Sequence, residues 1–81
     1  MTKKQKLLSR FLTIPSDLTW NELKSVLSGL GFNEIKNKGI SGGSRVKFIN
    51  QNGEIINLHK PHPSNIVKRY VLIQIINKLE L

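Results

Sequence analysis

Residues 45–59 read RVKFINQNGEIINLH, and the way this stretch folds back on itself decides the architecture. Arg45 to Ile49 alternates polar and apolar residues, as a half-buried strand does. Gln51-Asn52-Gly53 turns the chain, and Glu54 to His59 returns. Two registers compete. A two-residue Asn52-Gly53 loop pairs Phe48 with Asn57 and Val46 with His59. A three-residue loop puts Gly53 at the left-handed bulge position and pairs Phe48 with Ile56 and Val46 with Leu58. The second register makes one face uniformly apolar, and it is the one expected, because a one-residue slip moves every side chain to the other face. Arg45, Lys47, Asn57 and His59 then share the opposite face. Arg45 and His59 become cross-strand neighbours with Cβ atoms about 5 Å apart.

Upstream, Phe32 to Lys36 reads as a short strand, and Asn37 to Ser44 as a glycine-rich loop. Before these lies the best-signalled element, a helix over about residues 20–30. Thr19-Trp20-Asn21-Glu22 is a capping box, in which the Thr hydroxyl and the Glu carboxylate satisfy each other's orphan N–H groups. Leu18 and Leu23 take the staple positions. Leu23, Val26, Leu27 and Leu30 form one apolar stripe, and Gly31 offers the left-handed residue that ends the helix. Residues 3–12 read as a short basic amphipathic helix, with Leu7, Leu8, Phe11 and Leu12 on one side and Lys3, Lys4, Lys6 and Arg10 outward. Thr2 can cap its start and Pro15 stops it. Such a helix also suits a membrane surface, but its four apolar side chains make a weak anchor.

Downstream, Lys60-Pro61-His62-Pro63 is stiff and extended, since each proline disfavours helix in the residue before it. Ser64 or Asn65 stands where a cap is needed. From Ile66 to about Leu79, two adjacent rows, Ile66-Tyr70-Ile73-Ile76 and Val67-Val71-Ile75-Leu79, predict a helix with one wide buried face. The β-branched run from Val71 to Ile76 also suits a strand, but its length and helical spacing favour the helix. The order is therefore α, α, β, β, β, α. Sequential antiparallel strands with helices on one side give an α+β two-layer sandwich. Its other sheet face is open to solvent and basic. An N-terminal helical extension, residues 1–18, precedes a domain over 19–81.

The chain has 81 residues, enough for one small domain with a modest core. An active site is expected as a shallow surface patch. With no cysteine, a disulfide scaffold and any thiolate nucleophile or ligand are excluded. No apolar run approaches the roughly 20 residues of a membrane span. The basic start is not followed by a signal-peptide apolar region, so the cytoplasm is the expected compartment and no membrane partner is expected. Thirteen Lys plus Arg against five Asp plus Glu give a net charge of +8. That excess favours a polyanionic partner, nucleic acid or an acidic protein, over solubility alone.

The titratable residues narrow the chemistry. His59 and His62 lie on or next to the open face. Metal-free cleavage of RNA needs a base for the 2′-hydroxyl, an acid for the leaving oxygen and cations for the charged transition state. Histidine suits the first two roles near neutral pH, and Arg45 and Lys47 suit the third. The plainer reading has His59 end a strand and His62 pack in a loop. Lys36, Lys38, Lys60, Lys68 and Arg69 would attract an RNA backbone, and Ser44 borders the site. Asp17, Glu22, Glu34, Glu54 and Glu80 are scattered, so neither a paired-carboxylate hydrolase nor a metal site is signalled. No small-molecule cofactor is expected. Gly39 to Gly43 suits a phosphate nest or simply a turn. Aromatic residues are few, so base stacking is not an obvious binding mode.

At Gly43-Ser44-Arg45-Val46 and Leu58-His59-Lys60-Pro61-His62-Pro63 the chain resembles the HicA toxins of HicA–HicB toxin–antitoxin pairs. The shared pattern is a helix ending in Leu30-Gly31-Phe32, a strand, a Gly-Ser-His, a hairpin, a His-Pro and a closing helix, over roughly residues 19–80. The resemblance implies a fold like the double-stranded-RNA-binding domain, metal-independent cleavage of mRNA that arrests translation, and neutralisation by a HicB-like antitoxin. Arg45 stands where the family has its catalytic histidine. Either the chain belongs to a Gly-Ser-Arg branch or the chemistry has been lost. His59, across the sheet from Arg45, could supply the imidazole, and His62 matches the family's His-Pro position. Rival classes are a non-catalytic RNA-binding module and a protein-interaction domain whose basic face docks an acidic partner.

Overall fold

A computed structural model describes residues 3–35, 45–61 and 64–81. The elements are α1 (Lys3–Leu12), α2 (Trp20–Gly29), β1 (Asn33–Ile35), β2 (Arg45–Ile49), β3 (Ile55–His59) and α3 (Arg69–Leu79). The strands form one antiparallel sheet in the order β1-β2-β3. This is the expected α+β arrangement. Thr2, Lys36 at the end of the expected first strand, and the glycine-rich loop from 37 to 44 lie outside the described residues.

The hairpin adopts the three-residue loop. Phe48 pairs with Ile56 and Val46 with Leu58. Gly53 takes φ +83°, which a side chain would resist. Asn50 fixes the turn, its Oδ1 accepting from the backbone N–H groups of Asn52 and Glu54 at 3.0 and 2.9 Å. Strand alternation then sends Val46, Phe48, Ile56 and Leu58 toward the helices.

The capping box of α2 is complete: the Thr19 hydroxyl accepts from the Glu22 N–H at 3.2 Å, and Glu22 Oε1 accepts from the Thr19 N–H at 3.0 Å. The staple residues Leu18 and Leu23 are fully buried. At the other end Phe32 N–H donates to the Leu27 carbonyl and Gly31 N–H to the Ser28 carbonyl, with Gly31 at φ +92°. That pattern is a Schellman stop, which consumes the carbonyls the helix leaves over.

Helix α3 departs from expectation in start and phase. It begins at Arg69, three residues late, with Lys68 as N-cap and no side-chain cap. The Ser64 hydroxyl instead accepts from Ile66 N–H at 3.1 Å, in a local turn. The reason is long-range pairing. Trp20 N–H donates to the Asn65 carbonyl and Val67 N–H to the Leu18 carbonyl, so Thr19 and Ile66 form an antiparallel bridge that holds this stretch extended. The single wide buried face therefore does not form. Val67, Leu72 and Ile75 are buried, whereas Ile66, Tyr70 and Ile73 are exposed.

The core gathers residues from all three helices and the sheet. Trp20 meets Phe48 edge-on, with ring centroids 6.1 Å apart. Phe11 of α1 is fully buried within it, while Leu12 of the same helix is exposed. Arg10 fastens α1 further, bridging Asp17 at 2.6 Å and Glu22 at 2.8 Å. Past α1 the chain turns through Ile14 at φ +54°, and the Ile14 carbonyl accepts from Arg69 Nε at 3.0 Å.

Candidate functional site

The hairpin positions the site. Antiparallel pairing sets Arg45 opposite His59 and Lys47 opposite Asn57. Alternation carries all four to the sheet face away from the core. Arg45, Asn57 and His59 are exposed, and Lys47 is half-buried. Ile49 and Ile55 pair on the same face nearer the turn, and Ile35 of β1 lies beside Lys47. The open face is thus cationic at one end and apolar at the other. Directly opposed residues have Cβ atoms about 5 Å apart, so guanidinium and imidazole reach one small volume above the sheet. The guanidinium presents a fork of donors to a phosphate, and the imidazole offers two ring nitrogens for hydrogen bonding.

A groove of about 580 Å³ opens between β3 and the start of α3, with His59, Lys60 and Lys68 on its walls. These three candidates come together there. Arg45 adjoins them through His59, and Lys47 sits two residues along β2 on the same face. Arg69 does not line the groove; its Nε is used on Ile14. Lys36, Lys38, Ser44 and His62 lie outside the described residues. Asn57, Tyr70 and Gln74 also line the groove. Sequence reasoning gives Tyr70 and Gln74 no part in a site and counts Tyr70 in a buried row, while Asn57 enters it only as a member of the open face. The one available signal was that a tyrosine carries a polar tip suited to a wet surface.

Electrostatics favour an anion at this place. Asp17 and Glu22 are both taken up by Arg10, Glu34 faces Lys24 at 3.6 Å, and Glu54 accepts from Asn50 Nδ2 at 2.9 Å. The Thr19 N–H, then the Arg10 guanidinium, hold the Glu22 carboxyl below its usual value, and Glu22 in turn raises Arg10. No carboxylate lines the groove. Among the described residues no three His, Asp or Glu converge on a point that would hold a metal ion.

The molecule is a small α+β domain whose open sheet face carries Arg45 and Lys47 beside a groove with no carboxylate in its lining, a surface suited to an anion. The family model described as HicA toxin of bacterial toxin-antitoxin matches residues 20–81. The chain therefore belongs to the HicA toxin family, the toxin component of toxin–antitoxin pairs, and a cognate antitoxin is implied. No curated protein and no solved structure gave a match. The matched region begins at the first residue of α2, so α1 lies outside it. Among the described residues no helix is long and apolar enough to cross a membrane.

Proposed function

We propose that this toxin is a metal-independent endoribonuclease that cleaves mRNA, arrests translation in the cytoplasm and is neutralised by a HicB-like antitoxin. The observation that carries the reading is the Arg45–His59 cross-strand pair on the open face. His59 and His62 serve as the acid–base pair. One takes the proton of the RNA 2′-hydroxyl, whose oxygen attacks the adjacent phosphorus. The other gives a proton to the departing 5′ oxygen, leaving a 2′,3′-cyclic phosphate and a free 5′-hydroxyl. Arg45, with Lys47, holds the phosphate and offsets the charge that builds on it. Lys60 and Lys68, with Lys36, Lys38, Ser44 and Arg69, guide the backbone.

Arg45 at the position of the family's catalytic histidine favours a second reading, a non-catalytic RNA-binding module on the same fold. Cleavage of a long RNA in excess EDTA separates the two. The wild type is expected to cut, and His59→Ala to lose about 10²–10⁴-fold in rate, the usual worth of general acid–base catalysis. Unchanged cleavage by His59→Ala would remove the cross-strand assignment. Intact RNA after incubation with folded, partner-free wild type would leave the binding module. RNA binding of either kind should weaken with salt, log affinity falling by about 0.7 per decade for each phosphate held on a single strand.

A further inference from the structure

We infer that the groove between β3 and α3 is a nucleobase subsite, in which Tyr70 stacks on a single-stranded RNA base and Gln74 reads its edge. The inference rests on the ribonuclease reading of the adjoining face and adds to it the element that selects where the strand is bound. Tyr70 is 58% exposed although it stands on the first turn of a helix whose neighbours Leu72 and Ile75 are buried. Its ring borders the groove rather than the core.

Size and lining both fit a nucleotide. About 580 Å³ falls within the range of small-molecule sites and is too little for a helix or a duplex. Gln74 carries two donors and an acceptor, the complement of a base edge. Its side chain hydrogen-bonds to no other described residue. Lys60 and Lys68 line the same groove with no carboxylate among the lining residues, so the charge there suits flanking phosphates.

The position is also right. His59 belongs both to the groove and to the Arg45 pair. A base seated against Tyr70 therefore delivers the neighbouring phosphodiester to the cationic end of the open face. The aromatic count of the sequence argues against a stacking platform, but one exposed ring beside one amide is enough for one base.

The test uses the full chain and fluorescent six-residue oligomers of A, U, G and C whose 2′-hydroxyls are methylated, so that binding is read without cleavage. Affinity is measured by anisotropy for wild type, Tyr70→Phe, Tyr70→Ala and Gln74→Ala, with circular dichroism confirming each fold. Tyr70→Ala should weaken binding about 5- to 150-fold, the loss of one aromatic–base stack. Tyr70→Phe should bind as wild type does. Gln74→Ala should narrow the spread among the four oligomers. Wild-type binding that Tyr70→Ala leaves unchanged would overturn the subsite alone, with the cleavage assay in EDTA still free to support the nuclease. Loss of binding by Tyr70→Phe as great as by Tyr70→Ala would overturn the stacking role. Failure of the wild type to bind any oligomer would overturn the subsite, and if the same preparation leaves long RNA intact the nuclease reading falls with it.

Discussion

Phe11→Ala tests whether α1 is part of the toxin's fold or a passenger on it. The family match begins only at residue 20, which invites the second view. The structure argues for the first: Phe11 is 0% exposed and shares a core cluster with Leu23, Leu27 and Leu72. Truncating a fully buried phenylalanine costs about 3–5 kcal/mol, as lost transfer energy plus the cavity left behind. A domain of this size has a total stability of about 4–12 kcal/mol at 0.05–0.15 kcal/mol per residue. The substitution therefore removes a large fraction of the whole. Each kcal/mol moves the melting temperature of such a domain by about 4–8 °C, so a drop of about 12–40 °C is expected. Leu12→Ala is the internal control: Leu12 is 44% exposed on the same helix, and its loss should cost about 0.5 kcal/mol or less. Urea and thermal denaturation followed by Trp20 fluorescence read both variants. If Phe11→Ala costs less than about 1 kcal/mol, below the usual span for such truncations, then α1 docks without sharing the core and the reasoning fails.

Thr19→Ala removes the hydroxyl that accepts from Glu22 N–H and should lower stability by about 1 kcal/mol in denaturant titration, with Thr19→Ser largely restoring it. Glu22 is depressed in the folded protein, chiefly by the Thr19 N–H and further by Arg10, so its contribution is full above the unfolded value of about 4.3 and drains away as pH falls through the lower folded value. Melting at stepped pH should show that acid loss in the wild type and a flatter acid limb in Glu22→Gln, which keeps the cap but not the charge. Gly53→Ala, at φ +83°, should destabilise the hairpin by about 1 kcal/mol, read as an earlier urea midpoint with an unchanged slope.

The hairpin register was legible because only one pairing gathers Val46, Phe48, Ile56 and Leu58 on one face, and that is a local test. Helix α2 was legible for the same reason: Thr19, Glu22, Leu18, Leu23 and Gly31 declare both ends within a few residues of each. The start of α3 was not. Spacing from Ile66 onward is helical, but the backbone there is claimed by residues 18 and 20, and nothing within a local window reports a partner so distant in sequence. With the start misplaced, the buried face was misplaced too, and Tyr70 was hidden among core residues. The polar quartet of the open face followed from the register alone. The groove did not, since it depends on where α3 lies beside β3.

The two tethers of α1 and its exit differ in what their closure costs. The Arg10–Glu22 contact spans 12 positions, whereas the Arg69–Ile14 contact spans 55. Loop-closure cost rises as 1.5RT times the logarithm of length, so the longer closure is dearer by about 1.4 kcal/mol. The contact between α1 and α2 therefore closes at lower entropic cost than the one that ties the start of α3 to the exit of α1. The groove beside His59, whose α3 wall bears Tyr70, thus depends on the more costly of the two closures.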